Sequence, residues 1–189
     1  MAGVRNIFLI EFEDLEEIIY ILRNISEFDL SGYSKSSLKR RIERFLQVEK
    51  MDLVDLKNAI VNVKDFHLYF IQELVVNVTE MFRDPEFFVS LKTNVIPYLK
   101  TYPQIRIWSA GSSTGEEAYS TAILLNETGI LGRSFIYGTD ISPKALEAAR
   151  KGVYSLNKIK SYTENYLKTM PGSEFSNHYT AMYDAAIIN

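Results

Sequence analysis

A chain of 189 residues with 47% hydrophobic side chains is long enough for one good core or two small ones, and wholesale disorder is excluded. A net charge of −3 gives no general reason to expect nucleic acid or an anionic membrane surface as partner. The absence of cysteine excludes disulfides and thiolate metal sites and fits a reducing, cytoplasmic setting. No apolar run has the length of a membrane span, so direct membrane insertion is not expected. The N-terminus, MAGVRNIFLIEFEDLEE, turns acidic too early for a signal peptide. These features together predict a soluble intracellular protein.

Residues Asp14 to Arg23 place Leu15, Ile18, Ile19 and Leu22 on one helical face. Ser31-Gly32 breaks that pattern, and Ser34 or Ser36 is placed to cap the next helix, SSLKRRIERFLQVEK. Its core face holds Leu38, Ile42, Phe45 and Leu46. Its other face holds Lys39, Arg40, Arg41 and Arg44, either a docking surface for an acidic helix or a solvated helix face. Asp52 caps a third helix with Leu53, Leu56 and Ile60 inward, and Asp65 to Val76 forms a fourth. Short connections between these segments predict a small all-helical domain over residues 1–76.

Asn77-Val78-Thr79-Glu80-Met81-Phe82-Arg83 reads as a joint running to about residue 84, with a second domain over 77–189. Asp84-Pro85 signals a helix start, the stretch PEFFVSLKTNVIPYLK. Ile105, Ile107 and Trp108 then predict a buried strand, and Glu116 to Asn126 a helix. Ser134–Gly138 predicts a second strand ending at Asp140, and Ser142-Pro143 starts a helix through Arg150. A helix over Leu156 to Leu167 precedes Pro171-Gly172 and a Tyr-rich end. Alternating β and α units predict a parallel, Rossmann-like α/β sheet. Two strands make a poor parallel sheet, so the second domain is expected to be the first half of a larger one.

Gly111 and Gly115 bound a polar turn between strand and helix, where the backbone can come close to a ligand. Glu116 and Glu117 at the helix start would repel a pyrophosphate and suit a cationic ligand without phosphate, such as S-adenosylmethionine. The P-loop and dinucleotide fingerprints are absent. Gly111-Ser112-Ser113-Thr114-Gly115 does fit G-x-S-x-G, which would make Ser113 a hydrolase nucleophile followed in order by Asp140 and His178. The helical character of everything before Ile105 argues against that elbow. Asp140 lies where a doubly wound sheet puts its ribose-binding acid, or else caps the next helix. Arg83 is suited to hold a carboxylate or to pair with Asp84 or Glu86, and Asn77 and Thr79 to donate to a ligand or to satisfy a turn. A metal site is not expected, with two histidines and no H-E-x-x-H.

Together these residues resemble the chemotaxis receptor methyltransferases, the CheR family, which methylate glutamate side chains using S-adenosylmethionine. Asn77, Thr79, Phe82, Arg83 and Asp84 meet the pattern N-x-T-x-F-F-R-D, and Ile107 to Ser120 meets I-W-S-A-G-x-S-T-G-E-E-P-Y-S. Thr139-Asp140-Ile141 and Ala149, Arg150, Gly152 and Tyr154 meet two further segments. Met81 and Ala118 depart from the pattern by apolar swaps. The resemblance implies that Asn77, Thr79, Arg83, Glu117 and Asp140 contact the cofactor, Asp140 through the ribose hydroxyls. It implies that Arg83 lies near the transferring methyl group, as the catalytic residue. It also implies that the helix with Arg40, Arg41 and Arg44 faces the cytoplasmic helices of methyl-accepting chemoreceptors. Family members continue past the position of Asn189 with more of the sheet, a late tyrosine and in many cases a small β-subdomain, so this chain is expected to be a fragment or a shortened form with weak or no activity alone. A non-catalytic receptor-docking module is the alternative.

Overall fold

The computed structural model describes residues 8–26, 28–75 and 79–189. The chain divides into two compact units, Met1–Val76 and Asn77–Asn189. The first contains four helices among its described residues: α1 (Phe12–Ile25), α2 (Lys35–Glu49), α3 (Leu53–Asn62) and α4 (Phe66–Leu74). Helical spacing puts Leu15, Ile18, Ile19 and Leu22 of α1 in one core with Leu38, Ile42, Phe45 and Leu46 of α2. Leu56 and Ile60 of α3 and Phe70, Ile71 and Leu74 of α4 complete it. Ser34 is the residue before α2 but makes no side-chain cap, whereas Asp52 accepts the Asp55 N–H at 2.8 Å.

The second unit begins its described helices with α5 (Pro85–Ser90), which passes through one π-helical turn at Leu91–Val95 into α6 (Ile96–Leu99). Pro97 lacks the N–H that would reach the Thr93 carbonyl, and the helix widens there by one residue. Asp84 stands before Pro85 as expected, but in a left-handed conformation (φ 54°) and without capping through its side chain. The strands β1 (Ile105–Ala110) and β2 (Ser134–Thr139) pair in parallel, Ile105 opposite Ser134 and Ala110 opposite Thr139. Helix α7 (Glu116–Glu127) makes the crossover, and α8 (Pro143–Lys151) follows β2 with Ser142 capping the Ala145 N–H.

The remainder departs from the sequence expectation. β3 (Val153–Ser155) precedes α9 (Leu156–Thr169), and the Tyr-rich end forms β4 (Tyr179–Met182) and β5 (Ala185–Ile188). These three strands make an antiparallel sheet in the order β3-β5-β4. They are three to four residues each, too short for their alternation to stand out in sequence. Trp108 is a second departure: it is 71% exposed, on one face of the β1–β2 pair with Phe135 and Tyr137. Its neighbours Ile105 and Ser109 are buried on the opposite face.

The core of this unit is aromatic. Phe82 packs against Phe88 at 5.0 Å and edge-on to Tyr166 at 5.2 Å, and Tyr166 in turn meets Phe175. Tyr166 donates to Glu127 Oε1 at 3.0 Å, and burial followed by that carboxylate pushes its hydroxyl up to about 12. Burial raises Tyr154 and Tyr162 as well. A tyrosine raised above its unfolded value keeps its full contribution to stability below about pH 10 and loses it as pH climbs through the folded value. Chemical denaturation monitored from pH 8 to 12 is therefore expected to show stability falling above about pH 10, with a shallower fall in Tyr166→Phe. An identical fall in the variant would refute the assignment to Tyr166.

Candidate cofactor site

The C-terminal ends of β1 and β2 stand side by side, and the chain leaving β1 is folded back onto the end of β2. The N–H groups of Gly111 and Ser112 both donate to the Thr139 carbonyl, at 2.8 and 2.9 Å. The Ser113 N–H donates to Asp140 Oδ2 at 2.8 Å, while Asp140 Oδ1 accepts the Ser142 N–H at 2.8 Å. Asp140 thus ties the turn, the end of β2 and the approach to α8 together; the capping itself belongs to Ser142. A carboxylate oxygen that accepts one N–H retains acceptor capacity, so half-buried Asp140 can still receive a vicinal diol.

The two glycines bounding the turn serve different ends. Gly111 has φ 72°, and no atom lies within 4 Å of where a Cβ would stand, so this side of the turn is open. Gly115 has φ 94°, and a Cβ there would stand 2.9 Å from the Ala149 Cβ. Its missing side chain lets α8 close against the turn. The left-handed backbone alone makes Gly111→Ala cost about 1 kcal/mol.

The two adjacent acids also part company. Glu117 is exposed and held by the Ser109 hydroxyl at 2.6 Å, an anionic group at the mouth of the turn. Glu116 is fully buried, accepting from the Thr114 hydroxyl at 2.6 Å and from Tyr162 at 3.1 Å, with Lys158 at 3.5 Å. The expectation that the two acids together suit a cationic ligand is corrected for Glu116: a step of about 100° along the helix separates it from exposed Glu117 and turns it into the interior, onto Thr114 and Tyr162.

Arg83 is exposed, in a segment fixed from both sides. Phe82 and Asp84 both have left-handed backbones, with φ of 52° and 54°, and the buried Phe82 N–H donates to Ser120 Oγ of α7 at 2.8 Å. That bond holds the segment against the first turns of α7. Thr79 is half-buried nearby in sequence, and Asn77 lies outside the described residues.

The hydrolase triad is not assembled. His178 sits beside Glu127 at the far end of α7, with Nε2 2.8 Å from Glu127 Oε1, and Asp140 engages the Ser113 backbone. Among the described residues, the buried Ser113 hydroxyl meets no hydrogen-bond partner. The basic face of α2 likewise divides. Lys39 bonds Glu43 and the Ile10 carbonyl, and Arg41 donates to the Leu74 carbonyl at the end of α4 at 2.8 Å. Arg40 and Arg44 remain exposed.

Residues 77–185 match the model of the CheR methyltransferase SAM-binding domain, and residues 13–56 match the CheR all-alpha domain. The chain belongs to the CheR methyltransferase family. It is 40% identical over 181 residues to the Pseudomonas putida protein named Cher3, covering 95% of this chain and 65% of that one. The chemotaxis protein methyltransferase of Salmonella typhimurium is 37% identical over 101 residues, 52% of this chain and 34% of the relative. That of Borreliella burgdorferi is 30% identical over 171 residues, 82% of this chain and 59% of the relative. This CheR-family chain thus spans less than two thirds of the length of these curated relatives. The cofactor of its matched domain is S-adenosylmethionine. The open side of Gly111, the exposed acid Glu117 and the free acceptor capacity of Asp140 fit a ligand bearing an ammonium group and a ribose. Among the described residues, no helix is long and apolar enough to cross a membrane.

Because its Cβ would overlap backbone and side-chain atoms of α8, Gly115→Ala is expected to cost more than Gly111→Ala, about 2–4 kcal/mol in urea denaturation. Equal losses at the two positions would contradict the division of labour between them.

Proposed function

We propose that the chain carries the cofactor-binding corner and the receptor-facing helical domain of a cytoplasmic protein-glutamate O-methyltransferase acting on chemoreceptors. The observation that carries this reading is an exposed acid, Glu117, bonded to Ser109 near the end of β1, together with Asp140, which keeps acceptor capacity at the end of β2, at a turn that is open at Gly111. In this reading Glu117 receives the cofactor's ammonium group and Asp140 its ribose hydroxyls. Thr79 and Asn77 donate polar contacts, and the backbone of Gly111 and Gly115 shapes the bed.

S-adenosylmethionine supplies a methyl group bound to a positively charged sulfur. The acceptor glutamate titrates near 4.3 and is ionised at neutral pH, so no general base is needed. What remains for the protein is alignment and exclusion of water. The pinned segment Phe82-Arg83-Asp84 suits Arg83 to orient the incoming carboxylate by two parallel hydrogen bonds. Arg40 and Arg44, exposed on α2, are the groups of the basic cluster available to an acidic receptor helix, since Lys39 and Arg41 are engaged within the domain.

Calorimetry with S-adenosylhomocysteine tests the corner, and methyl transfer to a receptor fragment tests the activity. Where transfer is measurable, in this chain or in a longer form, Arg83→Ala is expected to lower it at least ~100-fold, the range for a lost positioning group. Unchanged transfer in that variant would remove Arg83 from the chemistry. Binding of S-adenosylhomocysteine without any transfer, in the longer form as well, would favour the docking-module reading.

A further inference from the structure

Glu116 is a carboxylate at the first position of α7 with no exposed surface, and the methyl-transfer scheme makes no use of it. Burying a charge is costly unless its oxygens are met by donors, and an aliphatic side chain would fill such a site at lower cost. Here both oxygens are met. Oε2 takes the Thr114 hydroxyl at 2.6 Å, from inside the cofactor turn. Oε1 takes Tyr162 of α9 at 3.1 Å and lies 3.5 Å from the Lys158 ammonium on the same helix.

Two further bonds extend the arrangement. Tyr154 of β3 donates to the Thr114 carbonyl at 2.7 Å, so Thr114 is held through both its side chain and its backbone. The Glu116 carbonyl accepts the Ser120 hydroxyl at 2.6 Å, and that hydroxyl accepts the Phe82 N–H. Through its side chain and its backbone carbonyl, Glu116 therefore joins the 111–115 turn to the segment carrying Arg83.

We propose that Glu116 is a positioning residue, a buried carboxylate that, through Thr114 and braced by Tyr162, Lys158 and Tyr154, fixes the 111–115 turn in its ligand-ready shape. The proposal rests on the cofactor reading of that turn. Burial raises the Tyr162 and Tyr154 hydroxyls, and the neighbouring Glu116 raises them further, which keeps both as neutral donors. The brace also gives β3 and α9 a role: through Tyr154, Tyr162 and Lys158 they hold Thr114 and Glu116 at the end of the turn.

Amide hydrogen exchange of the whole chain reads the brace directly, because two turn amides are bonded, Ser113 N–H to Asp140 Oδ2 and Gly115 N–H to the Ser112 carbonyl. Tyr162→Phe removes one hydrogen bond and is expected to speed exchange at these two amides about fivefold relative to those of β1 and β2. Glu116→Leu, which loses every side-chain bond at this position, is expected to exceed that. Glu116→Gln keeps an acceptor for Tyr162 and should lie closer to the natural protein than Glu116→Leu. Tyr166→Phe, on the same helix but bonded to Glu127, should leave the turn amides unchanged. S-adenosylhomocysteine affinity is expected to fall about fivefold in Tyr162→Phe and to hold in Tyr166→Phe.

Turn amides that stay at their natural rate in Tyr162→Phe, or that speed up only in step with β1 and β2, would overturn the proposal. If Glu116→Leu does not fold, Tyr162→Phe decides. If the natural protein fails to bind S-adenosylhomocysteine at all, the cofactor reading falls, and the exchange rates still decide whether the brace exists.

Discussion

Four hydrogen bonds from backbone N–H groups to Thr139 and Asp140, at the end of β2, carry the architecture of this site. The Thr139 carbonyl takes two N–H groups from the turn, and the Asp140 carboxylate takes one from Ser113 and one from Ser142. Without them the chain leaving β1 would have no reason to double back, and α7 would begin elsewhere. A two-stranded parallel sheet gives little rigidity of its own. The short polar side chain of Asp140 supplies it at the one place where the backbone must hold a defined concave shape. The same bonds leave acceptor capacity on Asp140, so in the proposed reading one residue serves both the scaffold and the site.

The neighbouring acids show how little of a site's electrostatics can be read from spacing alone. Glu116 and Glu117 differ by one step along a helix, and that step separates a buried carboxylate bonded to Tyr162 from an exposed one bonded to Ser109. Of the two adjacent acids, only Glu117 presents its carboxylate to solvent. An exposed acid at a helix N-terminus already sits favourably against the helix dipole. It is available to an ammonium group without the mutual repulsion that two facing carboxylates would create.

Much of the fold was legible because its signals are local. The caps at Asp52 and Ser142, the Pro85 helix start and the apolar faces of α1 and α2 fix their elements within a residue or two. The turn at 111–115 was legible for the same reason, since positive φ at its bounding glycines is a backbone demand. What failed depends on distant partners. Trp108 looks like a core residue until the strand is seen to be covered on one face only. Lys39 and Arg41 look like surface charge until the Ile10 and Leu74 carbonyls appear beside them. The short strands β3, β4 and β5 exist through one another, and nothing within their own residues announces it. Tyr162 shows the same limit: its spacing in α9 reads as core, and only the buried Glu116 gives its hydroxyl a purpose.

The most direct measurement is a titration of the isotopically labelled chain with S-adenosylhomocysteine, followed amide by amide in NMR spectra. The expected result is a cluster of perturbations at Gly111 to Ser113, Glu117 and Asp140, with the helices of the first unit unmoved. Saturable binding whose perturbations fall elsewhere, or displacement of the analogue by ATP at comparable concentration, would contradict the assignment of this corner to a cationic, phosphate-free cofactor.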